Sequence, residues 1–246
     1  MNQDTSTGRF QFAVPDFERA RRKGVPEVIL ADRKTPEQVL TITCAFLERT
    51  GRAILSRVGS GLETLLREEF EAQEELEMEW VAPPRAAVLR RLDFVIPRVD
   101  GRVGVLTAGT SDIPAAEEAA LICREMGCAV YTGYDVGVAG LHRLFEPLRA
   151  MLDDVQVDVL IVAAGMDGAL PSVVAGLVDV PVIGLPTSVG YGVGGDGVAA
   201  LYSMLQTCAP GLSVVNVDNG IGAGAVAGLI ANRVAVLRSS LERGER

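Results

Sequence analysis

Aromatic residues make up only 5% of the 246 positions, and the chain holds a single histidine, His142. Its four cysteines, Cys44, Cys123, Cys128 and Cys208, show no paired spacing. A zinc centre built from Cys and His is therefore not expected, nor is a disulfide framework. Positive charge is also scarce: 23 Lys and Arg stand against 32 Asp and Glu, a net charge of −9. A nucleic-acid binder usually carries a basic face, so that class is set aside. Phosphate recognition stays open, because glycine-rich turns and helix N-termini bind anions through backbone N–H groups. No apolar segment of the secretory type follows the first methionine, which predicts a cytoplasmic protein. The longest uncharged run, residues 197–217, is interrupted by Gln206, Thr207 and Pro210-Gly211. It reads as helix, turn and strand rather than a membrane span.

Two chemical signatures are missing too. There is no phosphate loop ending in Gly-Lys-Ser/Thr and no Gly-x-Ser-x-Gly elbow, and the first turn, Gly109-Thr-Ser-Asp112, is not the Gly-x-Gly-x-x-Gly dinucleotide fingerprint. Nucleoside triphosphatases and α/β-hydrolases are disfavoured accordingly.

What the chain has in quantity is glycine (27 residues) and aliphatic side chains, with 48% of positions hydrophobic. Residues 1–12 are polar. Arg19, Arg21, Arg22 and Lys23 form a basic cluster, either a solvated helix face or a phosphate contact. Thr35-Pro-Glu-Gln38 is a capping-box pattern with proline at the first helical position, opening a helix that buries Val39, Ile42, Ala45 and Phe46 and stops at Gly51. Cys44 within it is expected to pack as a small hydrophobe. Residues 52–58 read as a strand, 61–74 as a charged amphipathic helix and 76–81 as a strand carrying Trp80. Residues 86–98 add a helix or a strand. Residues 1–98 are thus expected to form a small α/β domain.

From Gly101 the texture becomes strand, glycine turn, helix, repeated to the end. The clearest unit is residues 159–186. An apolar run rich in branched residues, 159–163, reads as a strand buried on both faces. Gly165-Met-Asp-Gly168 turns the chain, Pro171 and Ser172 open a helix, and residues 180–184 make the next strand. Strand, helix and parallel strand form one βαβ unit. Further strands are expected at 103–106, 128–132 and 212–217. Ser111 or Asp112 should cap a helix to Met126 with Glu117 and Glu118 near its positive end, His142 and Arg143 should open one to Leu152, Asp196 one to Thr207, and a last helix should end near Arg238. The fold class is a three-layer αβα domain over residues 99–246. Five strand-end turns gathered on one sheet edge make a ligand crevice. Asp167, alone among apolar residues, either acts in that crevice or caps its own turn or helix.

These turns resemble a known family. Ala108-Gly-Thr-Ser-Asp112, Ala163-Ala-Gly-Met166, Leu170-Pro171 and Pro181-Val-Ile-Gly184 look like the aminoimidazole ribonucleotide carboxylase/mutase family (PurE type). The closer resemblance is to its sister family, which makes the precursor of the nickel-pincer nucleotide cofactor (LarB type). It rests on Arg22-Lys-Gly-Val-Pro-Glu-Val-Ile29, Lys34-Thr-Pro-Glu-Gln38, Thr107-Ala-Gly-Thr-Ser-Asp112, Asp135-Val-Gly-Val-Ala-Gly-Leu-His-Arg143 and Gly165-Met-Asp-Gly-Ala-Leu-Pro-Ser172. Leu185-Pro-Thr-Ser-Val-Gly-Tyr-Gly192, Cys208-Ala-Pro-Gly211 and Asn216-Val-Asp-Asn-Gly-Ile-Gly222 extend it over most of the chain.

The resemblance implies a PurE-like five-stranded parallel sheet with flavodoxin-like winding. It also implies a carboxylase/hydrolase that takes nicotinic acid adenine dinucleotide and CO2. Such an enzyme carboxylates C5 of the pyridinium and cleaves the phosphoanhydride, releasing pyridinium-3,5-biscarboxylic acid mononucleotide and AMP. Cys208, placed facing the same crevice as Asp167, would be the nucleophile and Asp167 the base. Substrate would be held by Lys34, Gly109, Thr110, Ser111, Asp112, Asp135, His142, Arg143, Gly165, Met166, Ser188, Tyr191, Asp218 and Asn219. No tightly bound cofactor is implied, although scattered Asp residues suit a hydrated Mg2+, which needs few protein ligands. By analogy the protein is a homo-oligomer, an octamer. The purine family's Ser-Ala-His-Arg signature is absent, with His142 deeper at a helix start, which speaks against the mutase alternative. A non-catalytic nucleotide-binding module is the other alternative, and it gives no reason for Asp167 or Cys208.

Overall fold

The computed structural model describes residues 12–83 and 85–244. They form two compact units, one holding the chain up to Val81 together with Arg85–Phe94, the other running from Val95 onward.

The first unit is a four-stranded mixed sheet. β1 (Ile29–Leu30) runs parallel to β2 (Arg52–Ser56), and β2 and β3 (Leu76–Val81) both pair antiparallel with β4 (Ala86–Arg91), in the order β1-β2-β4-β3. The segment left open between helix and strand is thus a strand, with Ala86, Ala87, Val88 and Leu89 buried. Its helices are α1 (Arg19–Lys23), α2 (Pro36–Thr50) and α3 (Ser60–Phe70). The capping box of α2 forms in full: Thr35 Oγ1 accepts from the Gln38 N–H at 3.3 Å and Gln38 Oε1 accepts from the Thr35 N–H at 3.0 Å. Val39, Ile42 and Phe46 of α2 join Ala53, Leu55 and Leu89 in one core. Cys44 does not join it. It is exposed on the stripe of α2 shared with Glu37 and Glu48, because positions seven before and four after it lie on the same helix face.

The second unit is a parallel sheet of β5 (Arg102–Thr107), β6 (Ala129–Gly133), β7 (Val159–Ala164), β8 (Val182–Pro186) and β9 (Leu212–Val214). Its order, β6-β5-β7-β8-β9, is the flavodoxin-like winding. α4 (Ile113–Glu125) and α8 (Gly220–Glu242) pack together and against strands of the sheet. α5 (His142–Arg149), α6 (Ala169–Ala175) and α7 (Val198–Leu205) contribute Leu144, Leu148, Leu170, Val174 and Met204 to a core with Leu106, Leu160 and Val162. Both faces of the sheet are covered, which is why β7 and β8 are buried at every position.

Several boundaries move for local reasons. β8 starts after Pro181, which has no N–H for the ladder but whose carbonyl accepts from Leu160. β9 ends early where the Asn216 side chain accepts from the Val217 N–H. α5 gives way after Arg149 to a π-helical stretch, Ala150–Val155. α6 begins at Ala169, so Pro171 is its third residue.

α8 was not singled out by its charge pattern, yet at 23 residues, with an 18-residue stretch of mean hydropathy 1.6, it is long and apolar enough to cross a membrane. Here it is a packing helix. An added Cβ at Gly224 would lie 2.4 Å from the Ala119 carbonyl oxygen, so the two backbones approach as only glycine allows.

Candidate active site

In a parallel sheet every strand ends on the same edge, and the five turns leaving β5 to β9 therefore converge. Their backbones are unusual. Asp135, Met166 and Asp218, the turn residues after β6, β7 and β9, all have positive φ (58°, 51° and 54°) without being glycine. Residues held in this region collect where surrounding structure over-determines them, commonly at functional sites.

Hydrogen bonds tie neighbouring turns together. Asp112 is buried at 4% exposure. Its Oδ2 accepts from the Gly109 N–H at 2.8 Å and its Oδ1 from the Thr187 hydroxyl at 2.6 Å, joining the turn after β5 to the exit of β8 across β7. Asp112 does stand at the N-cap of α4, but its side chain caps no α4 N–H, because both oxygens point back into the turn. Thr110 and Ser111 beside it are exposed. The Met166 N–H donates to the Val189 carbonyl at 2.7 Å, and a Cβ on Gly165 would sit 2.2 Å from that same oxygen. Glycine is therefore required at 165 for the turns after β7 and β8 to touch. The Ser188 N–H donates to Asp218 Oδ1 at 2.9 Å, and Asn219 Oδ1 caps α8 by accepting from Gly222.

The remaining candidates stand around this frame. Asp135 pairs with Arg143 at 2.6 Å, and its N–H donates to the Thr107 hydroxyl. His142, Met166, Ser188 and Tyr191 are exposed, Tyr191 at 81%. Asp167 is exposed as well and caps nothing: the N-cap position of α6 belongs to Gly168, in the left-handed conformation. The capping alternative for Asp167 is not realised, and its carboxylate is left facing solvent at the strand-end edge.

Cys208 is elsewhere. It lies in the connection from α7 to β9, four residues before that strand, and the Gly211 carbonyl accepts from the Val182 N–H at the beginning of β8. That is the edge where strands begin. Asp167 follows the end of β7, so the sheet's strand length, about 15 Å at roughly 3.3 Å per residue, separates the two residues. Within one chain Cys208 does not face the crevice of Asp167. The reason is topological: a helix between parallel strands carries the chain back to the starting edge. Cys208 is nonetheless exposed, whereas Cys123 and Cys128 are buried. Burial raises both buried thiols, Cys128 to about 12.

Lys34 belongs to the other unit, where its ammonium donates to the Leu30 carbonyl at 2.8 Å. Arg19, Arg21 and Arg22 of α1 are ion-paired with Glu27, Glu18 and Asp16 respectively. Hydrogen bonding to Arg22 holds the Asp16 carboxyl below its ordinary value.

Sequence reading missed Thr107 and Thr187 as site-building residues. The available signal was a lone hydroxyl at or just past the end of an otherwise apolar strand. It also placed Glu117 and Glu118 as dipole partners of their own helix. Glu117 instead meets the Tyr134 hydroxyl and Arg124, and buried Glu118 accepts from the Ile221 N–H in the first turn of α8. With Glu118 and Asn219 on it, the N-terminus of α8 is already satisfied. Among the described residues no group of three or more His, Cys, Asp or Glu side chains converges as a metal cage. Asp112, Asp135 and Asp218 are each held by protein donors.

An open parallel sheet with hydrogen-bonded turns on its carboxyl edge defines an α/β protein of the doubly wound class. Comparison with known proteins narrows the class. The profile of the AIR carboxylase family matches residues 102–243, and that of the LarB/PurE-like N-terminal domain matches residues 7–87. An uncharacterized protein of Methanocaldococcus jannaschii is 42% identical over 217 residues, 88% of this chain and 82% of the relative. The N5-carboxyaminoimidazole ribonucleotide mutase of the same organism is 34% identical over 134 residues, 54% of this chain and 78% of the mutase. A crystal structure of Treponema denticola PurE is similar at 18% identity over 57% of this chain and 97% of that one, with a TM-score of 0.35. The chain belongs to the AIR carboxylase family, a family of carboxylase and mutase-type enzymes, and carries a LarB/PurE-like N-terminal domain.

Proposed function

We propose that this family member is a pyridinium carboxylase/hydrolase of nickel-pincer nucleotide biosynthesis, acting on nicotinic acid adenine dinucleotide and CO2. The observation that carries the reading is the LarB/PurE-like domain matched at residues 7–87, ahead of the portion shared with the purine mutase. The turn at 135–143 supports it, since Asp135 and Arg143 form an ion pair there in place of the purine signature.

C5 of a pyridinium is electron-poor and does not attack CO2 unaided. A thiolate adding to C4 forms a C–S bond and leaves a neutral dihydropyridine whose C5 is the nucleophilic carbon of an enamine. C5 then bonds to CO2, giving a carboxylate and an iminium. A base removes the C5 proton, and expulsion of the thiolate from C4 restores the aromatic ring. The net change is replacement of the C5 proton by a carboxylate. Asp167, exposed and uncommitted at the strand-end edge, is the base in this scheme. Arg143 and the backbone of the turn at 109–112 take the phosphates.

The thiolate is Cys208, and since one chain places it on the far edge of the sheet, the scheme requires Cys208 from a second copy. The protein then acts as a homo-oligomer. The test is mass spectrometry of products after incubation with the dinucleotide, bicarbonate and Mg2+. Dicarboxylated mononucleotide and AMP are expected; turnover of N5-carboxyaminoimidazole ribonucleotide alone would make the chain a purine mutase. Mixing separately inactive Asp167→Asn and Cys208→Ser chains and letting them reassemble should restore part of the activity. No restoration would mean that the two residues do not serve one shared site.

A further inference from the structure

α7 follows β8 and precedes β9, so it runs from the edge where strands end to the edge where they begin. Its inward side is made by Ala200 and Met204, both buried. Its outward side is apolar as well. Val198, Tyr202 and Leu205 are 48%, 66% and 61% exposed and, at spacings of four and three, lie on one stripe. Exposed apolar residues extend the stripe at both ends. An added Cβ at Gly194 would lie 2.3 Å from that of Ala199, which sets Val193 of the glycine loop close to the first turn of α7. Leu177 follows α6, the helix packed alongside. Apolar residues gathered into a band, unlike single ones scattered over a surface, mark a contact surface.

Charge selects the occupant. Each copy of the chain carries −9, so copies repel wherever acidic surfaces meet. Residues 197–217, which include all of α7 and Cys208, carry no charged side chain. A second copy lies on this stripe without setting like charges against each other. The two ends of α7 add a second reason. Gly168, next to Asp167, lies against its first turn, where an added Cβ would be 2.6 Å from the Ala200 carbonyl oxygen. Cys208 stands three residues beyond its last turn. The helix, about 12 Å long for eight residues at about 1.5 Å each, thus holds Asp167 near one end and Cys208 near the other.

We propose that two copies pair through α7, antiparallel about a two-fold axis beside Tyr202, so that Cys208 of each copy reaches the strand-end edge of the other. A two-fold contact is self-complementary, residue i meeting j while j meets i. Val198 then meets the partner's Leu205, and Tyr202 meets its own counterpart. A parallel pairing would bring like ends together and leave Cys208 away from Asp167. The antiparallel sense rests on the carboxylase reading above, whereas the stripe and its freedom from charge do not.

The experiment is the mass of the full chain in solution by sedimentation, followed by cysteine trapping. Wild type is expected at an even multiple of the chain mass. Tyr202→Glu, which sets two carboxylates face to face at the axis, should at least halve that mass with the circular dichroism unchanged. In a background of Cys44→Ser and Cys208→Ser, Val198→Cys and Leu205→Cys chains that have exchanged subunits should form a mixed disulfide on mild oxidation, at several times the yield of either variant alone. This trapping carries the test should Tyr202→Glu fail to fold. A monomeric wild type, a folded Tyr202→Glu protein of unchanged mass, or absence of the mixed disulfide overturns the proposal. Dissociation by Tyr202→Glu and the mixed disulfide, without restored activity on mixing Asp167→Asn and Cys208→Ser chains, would sustain the α7 contact and defeat the shared site. Restored activity in that mixture, with no mixed disulfide, would keep the shared site and overturn α7 as the surface that builds it.

Discussion

The two edges of the β5–β9 sheet are built from similar residue types and behave oppositely. On the edge where strands begin, Asp158 is buried; it accepts from the Arg102 N–H at 2.8 Å and pairs with Arg238, while Arg102 itself donates to the Val155 carbonyl. Those polar groups satisfy one another. On the edge where strands end, buried Asp112 and Thr187 make the same kind of closed pair, but around them Asp167, His142 and Tyr191 stand exposed. One edge spends its polar residues on cohesion, whereas the other uses a few to hold the rest outward. Cys208 is the exception that gives the comparison its interest, since it is an exposed thiol on the self-satisfied edge.

The sharpest break of this contrast is chemical. Cys208→Ser and Asp167→Asn should each cut formation of the dicarboxylated product by about a thousandfold or more and leave the thermal midpoint unchanged, because neither side chain is part of the core. Near wild-type turnover by Cys208→Ser would falsify covalent catalysis. Gly165→Ala comes next. A methyl group 2.2 Å from the Val189 carbonyl oxygen must displace a turn, and a loss of about 3 kcal/mol in urea unfolding is expected together with loss of activity. A variant of wild-type stability would show that the turns after β7 and β8 separate freely.

Smaller effects test the buried carboxylates. Glu118→Ala leaves the Ile221 N–H in the first turn of α8 without its acceptor and should cost about 1–3 kcal/mol without changing KM. Thr187→Val, which removes the donor to Asp112, should cost a similar amount but also perturb turnover, because it loosens the strand-end edge. Equal kinetic behaviour of the two variants would erase the distinction between packing and site. In the N-terminal unit, Lys34→Glu should raise KM for the dinucleotide severalfold more than it lowers kcat, as expected for a remote contact used equally in ground and transition states.

The mildest test is thiol labelling. Cys44 and Cys208 should react with an aqueous reagent in the native protein, and Cys123 and Cys128 only on unfolding. Cys128 is raised from 9.0 to about 12 when folded, so the unfolded chain ionises first and stability conferred by the neutral thiol is lost as pH rises from 9 toward 12.

Much of the molecule was legible before folding. Near-continuous apolar runs such as 159–163 identify parallel strands, and glycine-rich exits mark the edge where those strands end. Even the placement of Cys208 was accessible. A residue after a crossover helix and before a strand belongs to the starting edge, and reading its neighbourhood by motif alone overlooked that. Cys44 was misplaced because membership of a helix says nothing about which face a residue takes until the stripe is counted.

The order of residues determined on its own where chain segments are buried, where they turn and which helices are capped by their neighbours, as at Thr35 and Gln38, because each of these depends on contacts within a few positions. The tertiary structure alone decided the partners of Asp112 and Glu118. Asp112 meets Thr187 across 75 positions and Glu118 meets Ile221 across 103. Such pairs depend on strand order and helix packing, and a periodic pattern records how deeply a residue is buried without recording which distant backbone comes to lie beside it.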